Sequence, residues 1–516
     1  MLVGDLPRRN GRRYPTKTAV VSGGTSLTWA AVDERANRLA THLLAQGLQP
    51  GDRVAVCARN TAEWPELVFG LAKAGLVAVP LNIRLSSPEI AHILADSGAR
   101  AGILHSDQAP VAADPFGALE HVLQIGGSSA ARGYEDALAS GRAVDPTPAS
   151  LSPGDMQFIL YTSGTTGHPK GVVHSHRAML AQAADTAIVT EGRHDDVTLG
   201  TTPSFTAGGM IRTVASLYLG QTLVLHPKFD PEHVVDEIER SRVTMTTFIP
   251  TMLMRTLTVL AENPRDVSSL RRISYGSAPV PPGLAEEAMQ RLGCDLQQRY
   301  GLTEAGGQAT ILTPADHRRA VAGEEHLLAS CGRETPFAEI WIADNEGNPL
   351  PAGETGEIVI SSDALALGYW NRPEATAAAF RPDGLRSGDL GRLDEEGYLY
   401  IAGRMTDMVI SGGFNVYPAE IERVIAGHPG VDLVTVVGVP DPEWGETPVA
   451  VVVPKGAADP ALEQQLRELC RENLAGYKQP RRFEFRTGLP LGPAGKILKR
   501  EVRAELLEPA GTATGR

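Results

Sequence analysis

Apolar residues return every three or four positions through LTWAAVDERANRLATHLLAQGL (27–48), the spacing of a helix with one buried face, and the run ends at a glycine. RVAVCAR (53–59) has the continuous apolar texture of a short strand. EWPELVFGLAKAGLVAVPLN (63–82) reads as helix, Gly75, then strand, and SPEIAHILADSGARAGILHS (87–106) repeats that order. The rhythm recurs through 178–190, 208–227, 231–250 and 281–300. Helix and strand in alternation predict βα units around largely parallel sheets, an α/β fold in a large N-terminal domain of layered subdomains. From about 337 the pattern shortens. AEIWIADNEGNPLPAGETGEIVISS has two short strands around a polar turn, and EEGYLYIAGR (395–404) adds another, so about 330–403 reads as a β-rich subdomain. After 407, strand patterns (LVTVVGVP, TPVAVVVPK) mix with a helix (ALEQQLRELCRENLA), as in a small separate α+β domain. The expected division is 1–403, a hinge at 404–407, and 408–516.

Length agrees, since 516 residues exceed one ordinary core. Apolar content of 42% and charged content of 21% are globular values. A net charge of -13 argues against general nucleic-acid binding, which needs a basic surface. Phosphate ligands stay open, because a few backbone N–H groups and one or two cations hold them locally. The four cysteines (Cys57, Cys294, Cys331, Cys470) are far apart in sequence, with neither metal-ligand spacing nor a disulfide framework, which fits a reducing compartment. The N-terminal arginines precede no apolar run, and no stretch reaches about 18 apolar residues, so neither signal peptide nor membrane span is expected. The expected location is cytoplasmic.

The candidate chemistry begins at YTSGTTGHPKG, Tyr161 to Gly171, which follows the strand-like MQFILY. Gly164, Gly167 and Gly171 permit close backbone approach. Ser163, Thr165 and Thr166 add hydroxyls, and Lys170 adds a cation. A nucleotide triphosphate suits such a loop. It is not a P-loop of the G-x-x-x-x-G-K-[ST] type, because His168 and Pro169 separate Gly167 from Lys170 and no Ser or Thr follows the lysine. On composition alone, a plain surface loop stands beside that reading. Downstream come YGSAPVPPGL (275–284), QRYGLTEAGG (298–307), RSGDLGRLDEEGYLYIAGR (386–404), SGGFNVYPAEIE (411–422) and LPLGPAGKILKRE (489–501). Taken singly, the first is a Gly/Pro turn before a helix, Asp389 in SGDLG is a turn residue, and Lys496 is a solvated charge.

In this order, the strings resemble the motifs of the AMP-forming adenylating (ANL) superfamily, closest to its acyl-CoA synthetase branch, from about residue 15 to 505. The resemblance implies ATP, Mg²⁺ and CoA as cofactors. It gives the triphosphate to Thr162, Ser163, Gly164, Thr165, Thr166, Gly167 and Lys170. Gly276, Ser277 and Ala278 would line the adenine and acyl pocket. Tyr300 and Gly301 would lie along the adenine, Thr303 would contact the α-phosphate, and Glu304 with Thr165 would hold Mg²⁺. Asp389 and Arg404 are given to the ribose and phosphate. Lys496 would reach the carboxylate and α-phosphate of the adenylate. Lys170, Thr303, Glu304 and Lys496 are thus the implied catalytic set. The small C-terminal domain would be mobile, bringing Gly412 and Gly413 toward a thiol channel.

Two positions depart from the family pattern. Thr206 in TPSFTAGGM stands where a histidine is usual, and Thr206 cannot become cationic near neutral pH. Thr406 stands at the hinge where Asp or Lys is usual. Phe205, Thr206, Gly208, Phe248, Gly276, Gly301 and Gly306 are the expected acyl-pocket walls. Glu304 is the one charge within the stretches that supply these walls, 205–210, 247–252, 275–278 and 301–307, so an apolar or neutral polar acid is expected. Arg84, Trp444, Tyr477, Lys478, Arg481 and Arg482 are candidates for CoA, though each taken singly reads as a surface charge or a packed aromatic. The reading is an acyl-CoA synthetase acting on a small-molecule carboxylic acid, with a medium or branched chain or an aromatic ring. Its alternatives are transfer to another acceptor (carrier-protein thiol, amine, or nitrite in diazotase-type chemistry) and a non-catalytic nucleotide-binding regulator. A homodimer, or under the first alternative a carrier protein, would be the macromolecular partner, with no nucleic acid.

Overall fold

The helical spacing at 27–48 becomes helix Trp29–Ala45, opened by Thr28, whose hydroxyl accepts from the Ala31 N–H. Helices Trp64–Ala74 and Ser87–Ser97 end on Gly75 (φ +70°) and Gly98 (φ +62°). Both glycines are left-handed, a conformation that costs other residues energy. There the chain turns back into strands Val77–Pro80 and Ala99–His105.

The computed structural model describes residues 1–127, 132–162, 169–276, 280, 282–411, 414–442, 444–456, 461–491 and 497–507. The chain divides into two units: Met1–Ile340 with Val359–Arg386 and Gly397–Leu399, and Trp341–Ile358 with Ser387–Glu396 and Tyr400–Arg516.

The first unit holds two large sheets. One has eight strands, in the order Gly368–Tyr369, Lys170–Ser175, Met156–Thr162, Val77–Pro80, Arg53–Cys57, Ala99–His105, His121–Ile125 and Arg132–Gly133. The other has nine, in the order Arg333–Glu334, Thr310–Leu312, Asp295–Tyr300, Arg272–Gly276, Met245–Phe248, Val197–Gly200, Thr222–Leu225, Thr18–Ser22 and Thr25–Thr28. Its middle strands pair in parallel, with Phe248 opposite Tyr275 and Gly276 opposite Arg299. Parallel pairing gathers the carboxyl ends of these strands along one edge, where α/β folds keep their ligands. Burial holds the layers together: Phe69 and Phe158 are fully enclosed, each contributing roughly 1.5–3 kcal/mol.

Segment 338–404 builds a five-stranded sheet from Ala338–Ala343, Gly356–Ser362, Gly384–Leu393 and Phe380–Arg381, with Leu399–Arg404 against Gly384–Leu393. The alternating apolar runs after 407 form another five-stranded sheet. Its order is Phe414–Val416, Val409–Ser411, Gly445–Pro454 and Val431–Asp441, and Arg482–Phe485 pairs with Gly445–Pro454. Helices Pro418–Ala426 and Leu462–Asn473 bring Ile421 and Leu466 into the same apolar cluster as Val436 and Val452. The α/β character expected from the alternation is what the chain adopts. Among the described residues, no helix is long and apolar enough to cross a membrane.

Candidate active site

The strand-like MQFILY is strand Met156–Thr162, and the lysine end of the loop opens strand Lys170–Ser175, antiparallel to it. Tyr161 faces Gly171 and Thr162 faces Lys170 across the ladder. A Cβ on Gly171 would meet Ile159 Cγ2 at 2.6 Å and Tyr161 Cζ at 3.2 Å. Close approach to the neighbouring strand is therefore the reason for glycine here. Ser163, Gly164, Thr165, Thr166 and Gly167 lie outside the described residues.

A residue that the sequence reading did not single out joins this hairpin to the YGLTE motif. The short strand Gly368–Tyr369 pairs antiparallel with Lys170–Ser175. Lys170 Nζ sits 5.2 Å from the centroid of the Tyr369 ring, and the Tyr369 hydroxyl donates to Glu304 Oε1 at 2.9 Å. The Ala366 N–H donates to the Glu304 carbonyl at 2.9 Å, fixing the backbone beneath it. Lys170, Glu304 and Tyr369, remote in sequence, thus form one cluster. Next to it Tyr161 donates to Asp96 Oδ2 at 2.7 Å, Arg372 pairs with Asp96 at 2.6 Å, and the Trp370 indole donates to the Asp96 carbonyl at 3.0 Å. Burial, then the Asp96 carboxylate, push the Tyr161 hydroxyl's pKa up. The signal in sequence was the aromatic pair of GYWNRP (368–373), too short a stretch to read as a strand.

The YGLTE motif leaves the carboxyl end of strand Asp295–Tyr300, and Thr303–Ala305 is a single 3-10 turn. A Cβ on Gly301 would meet Gln308 Cα at 2.5 Å, and one on Gly306 (φ +75°) would meet the Ala364 carbonyl at 2.7 Å. Both positions need glycine to bring Tyr300, Thr303 and Glu304 round the turn. Gly276 ends the neighbouring strand, while Ser277 and Ala278 lie outside the described residues. His174, on strand Lys170–Ser175, is enclosed; burial pushes it down to about 4, so it is neutral at neutral pH.

Thr206 is the N-cap of helix Ala207–Tyr218: its hydroxyl accepts from the Gly209 N–H at 3.2 Å and donates to the Pro203 carbonyl at 2.7 Å. The departure from histidine thus has a local structural use, a favourable cap. Phe205 packs against the main apolar core, whereas Phe248 is fully buried and meets Phe229 edge-on. Gly208 faces open space: an added Cβ would have no neighbour within 4 Å. Arg84 is exposed in the loop after Val77–Pro80, its N–H donating to Asn82 Oδ1.

In the second unit, Asp389 lies inside strand Gly384–Leu393 rather than in a turn, and Arg404 Nε meets its Oδ1 at 2.8 Å. Trp444 lies under the Arg481 guanidinium, 4.2 Å from it, and Lys478 Nζ donates to both oxygens of Glu420 at 2.8 Å. Thr406 falls in the turn Met405–Asp407. Gly412, Gly413 and Lys496 lie outside the described residues.

Residues 7–370 match the AMP-binding enzyme family, and residues 420–496 match the AMP-binding enzyme C-terminal domain. The chain belongs to this family. It is 40% identical over 509 residues to a feruloyl-CoA synthase of Amycolatopsis sp, spanning 97% of this chain and 98% of that one. With a long-chain-fatty-acid–CoA ligase of Mycobacterium tuberculosis it shares 40% over 513 residues, 98% of each chain. It is also similar to an o-succinylbenzoate CoA synthetase of Bacillus subtilis solved with its acyl-adenylate intermediate. The TM-score is 0.84 at 30% identity, covering 96% of this chain and 97% of that one.

Members of the AMP-binding family take ATP with Mg²⁺, and the Glu304 carboxylate fits that ion. Among the described residues no cluster of three His, Cys, Asp or Glu forms a cage. Magnesium that arrives on ATP needs none, since one or two carboxylates, phosphate oxygens and water complete its shell. Tyr369 holds Oε1 of Glu304, and Oε2 takes no hydrogen bond from the described residues.

Proposed function

We propose that this AMP-binding enzyme activates a carboxylic acid with ATP and passes the acyl group to CoA. The carboxylate oxygen attacks the α-phosphorus and the bond to pyrophosphate breaks. The CoA thiol then attacks the acyl carbon, losing its proton, and AMP leaves. Charge spreads over phosphate oxygens in the first step, so the protein's task is to position and neutralise. Lys170 is the cation for the β- and γ-phosphates, beside the Thr162 hydroxyl. Tyr300 offers a ring to the adenine, and Thr303 a hydroxyl to the α-phosphate. Glu304 would hold the Mg²⁺ that comes with ATP, and that ion would supply charge neutralisation at the phosphate oxygens. Asp389 and Arg404 are the acceptor and donor for a ribose and phosphate, and Lys496 is the cation for the adenylate. Phe205, Gly208, Gly276, Gly301 and Gly306 border the acyl group.

The observation that carries this reading is the Lys170–Tyr369–Glu304 cluster, which sets a lysine and a carboxylate around one ring at the end of a glycine-rich hairpin. Because Thr206 is spent on a helix cap, its difference from histidine gives no ground for another acceptor. Trp444 already stacks with Arg481 and Lys478 already pairs with Glu420, and Arg84 stays exposed as a candidate for CoA. Four free, buried cysteines suit a reducing, cytoplasmic setting. The test is acid-dependent exchange of labelled pyrophosphate into ATP. The wild type should exchange only with an acid present, and Glu304→Gln should lose roughly 100-fold. ADP and phosphate as products, or exchange indifferent to acid, would contradict the reading.

A further inference from the structure

Between helices His176–Val189 and Ala207–Tyr218 and the nine-stranded sheet lies a cavity of about 30 Å³, with Arg212 and Arg299 on its wall. That is space for about two waters, or for one small anionic group. Arg212 Nε donates to Thr247 Oγ1 at 3.2 Å, and Arg299 Nη2 donates to Ser274 Oγ at 2.9 Å. With the Gln297 amide turned over, its oxygen accepts from the same Nη2 at 3.1 Å. These partners are all neutral. Arg299 Nε is buried with no hydrogen-bond partner among the described residues. Among the described residues, no carboxylate is on the cavity wall. Asp185, the one acid among the described residues acting on Arg299, is itself pushed up by burial and is engaged by the Gln308 amide at 2.7 Å.

Two guanidiniums facing one small cavity without a countercharge is a costly arrangement. Burial, and the repulsion of each by a neighbouring arginine, push Arg212 down to about 9 and Arg299 to about 10. Both residues nevertheless keep part of their surface accessible, as groups lining a pocket do. The strands and the helix that line the cavity also carry candidate site residues. Arg299 immediately precedes Tyr300, Ser274 stands two residues before Gly276 on the same strand face, and Arg212 is one helical turn beyond Gly208. Gly208 is the wall residue that faces open space. The wall stretches 205–210, 247–252, 275–278 and 301–307 carry no charge but Glu304, which by itself predicts an uncharged acid; the arginines stand just outside those stretches.

We infer that Arg212 and Arg299 close the far end of the acyl pocket and select a carboxylic acid that carries a second carboxylate. The inference rests on the acid-activating function proposed above. A guanidinium fork matches a carboxylate in two hydrogen bonds, and Thr247 and Ser274 hold each fork in place. The distal carboxylate supplies the missing negative charge, and the proximal one is left to attack ATP.

Steady-state thioester formation with CoA tests it, using straight-chain and aromatic dicarboxylic acids against monocarboxylic acids of equal length. The wild type should favour the diacid by roughly tenfold or more in kcat/KM, the worth of a charge-assisted pair. Arg212→Met and Arg299→Met should each erase or reverse that ratio, mainly through KM for the diacid, while turnover of the monoacid persists. The wild-type comparison decides even if a variant does not fold. A wild type that prefers monoacids, with a ratio indifferent to either substitution, overturns the inference and leaves the proposed function standing. Pyrophosphate release with no acid of either kind overturns both.

Discussion

Tyr369→Phe isolates the bond between the hairpin and the YGLTE motif. It deletes one oxygen, the donor to Glu304 Oε1 at 2.9 Å, and keeps the ring 5.2 Å from Lys170 Nζ. A hydrogen bond to a charged acceptor is worth about 1.5–3 kcal/mol. Tyr369 and Glu304 are only half-buried, so the lower figure applies, about 1.5 kcal/mol or roughly tenfold in rate. Without that bond Glu304 is less well oriented, and the loss should appear as a higher Mg²⁺ requirement. Tyr369→Leu removes the ring as well, adding about 0.5–1 kcal/mol for the cation–π contact, roughly fiftyfold altogether. The assay is pyrophosphate exchange across a magnesium titration, with thermal unfolding as the control for folding. If Tyr369→Phe exchanges at the wild-type rate with an unchanged half-saturating magnesium concentration, the positioning role of Tyr369 is wrong.

Thr206→Ala should cost about 1 kcal/mol in urea unfolding through the lost cap, Thr206→Ser should cost little, and neither should change the acceptor; a shift from CoA to another nucleophile would give Thr206 a chemical role after all. Lys496→Ala should abolish adenylation while thioester formation from supplied acyl-adenylate persists, and equal loss in both steps would refute its assignment. His174 and His176 are buried and pushed down from 6.5 to about 4. Below 6.5 the unfolded chain takes up protons that the native one refuses, so stability is full above 6.5 and falls as pH drops toward 4. At pH 5.5 each should cost about 1.4 kcal/mol. Denaturant midpoints from pH 7 to 5 should fall less steeply in His174→Gln; identical slopes would contradict the burial argument.

Helical and strand periods were legible where one face of an element is buried, as at Trp29–Ala45, and where a glycine ends a helix, as at Gly75 and Gly98. The family's motifs were legible because its chemistry restricts residue types within a few consecutive positions. Tyr369 was not, because its meaning comes from antiparallel pairing with a strand about two hundred residues earlier, and no local period encodes that. Asp389 read as a turn because SGDLG is rich in turn formers, yet the neighbouring strand Leu399–Arg404 draws it into a sheet. Arg212 and Arg299 were passed over for the opposite reason: each sits in an ordinary amphipathic segment, and only the packing of helix on sheet turns both toward one cavity.

The most direct test of acid activation is to follow the carboxylate oxygen. The enzyme is given a carboxylic acid labelled with heavy oxygen in its carboxyl group, together with ATP, Mg²⁺ and CoA, and the products are weighed by mass spectrometry. Attack on the α-phosphorus predicts one labelled oxygen in AMP, one in the acyl-CoA thioester, and none in pyrophosphate. Label in inorganic phosphate with ADP formed, or unlabelled AMP beside a thioester that keeps none of the acid's oxygen, would contradict the account.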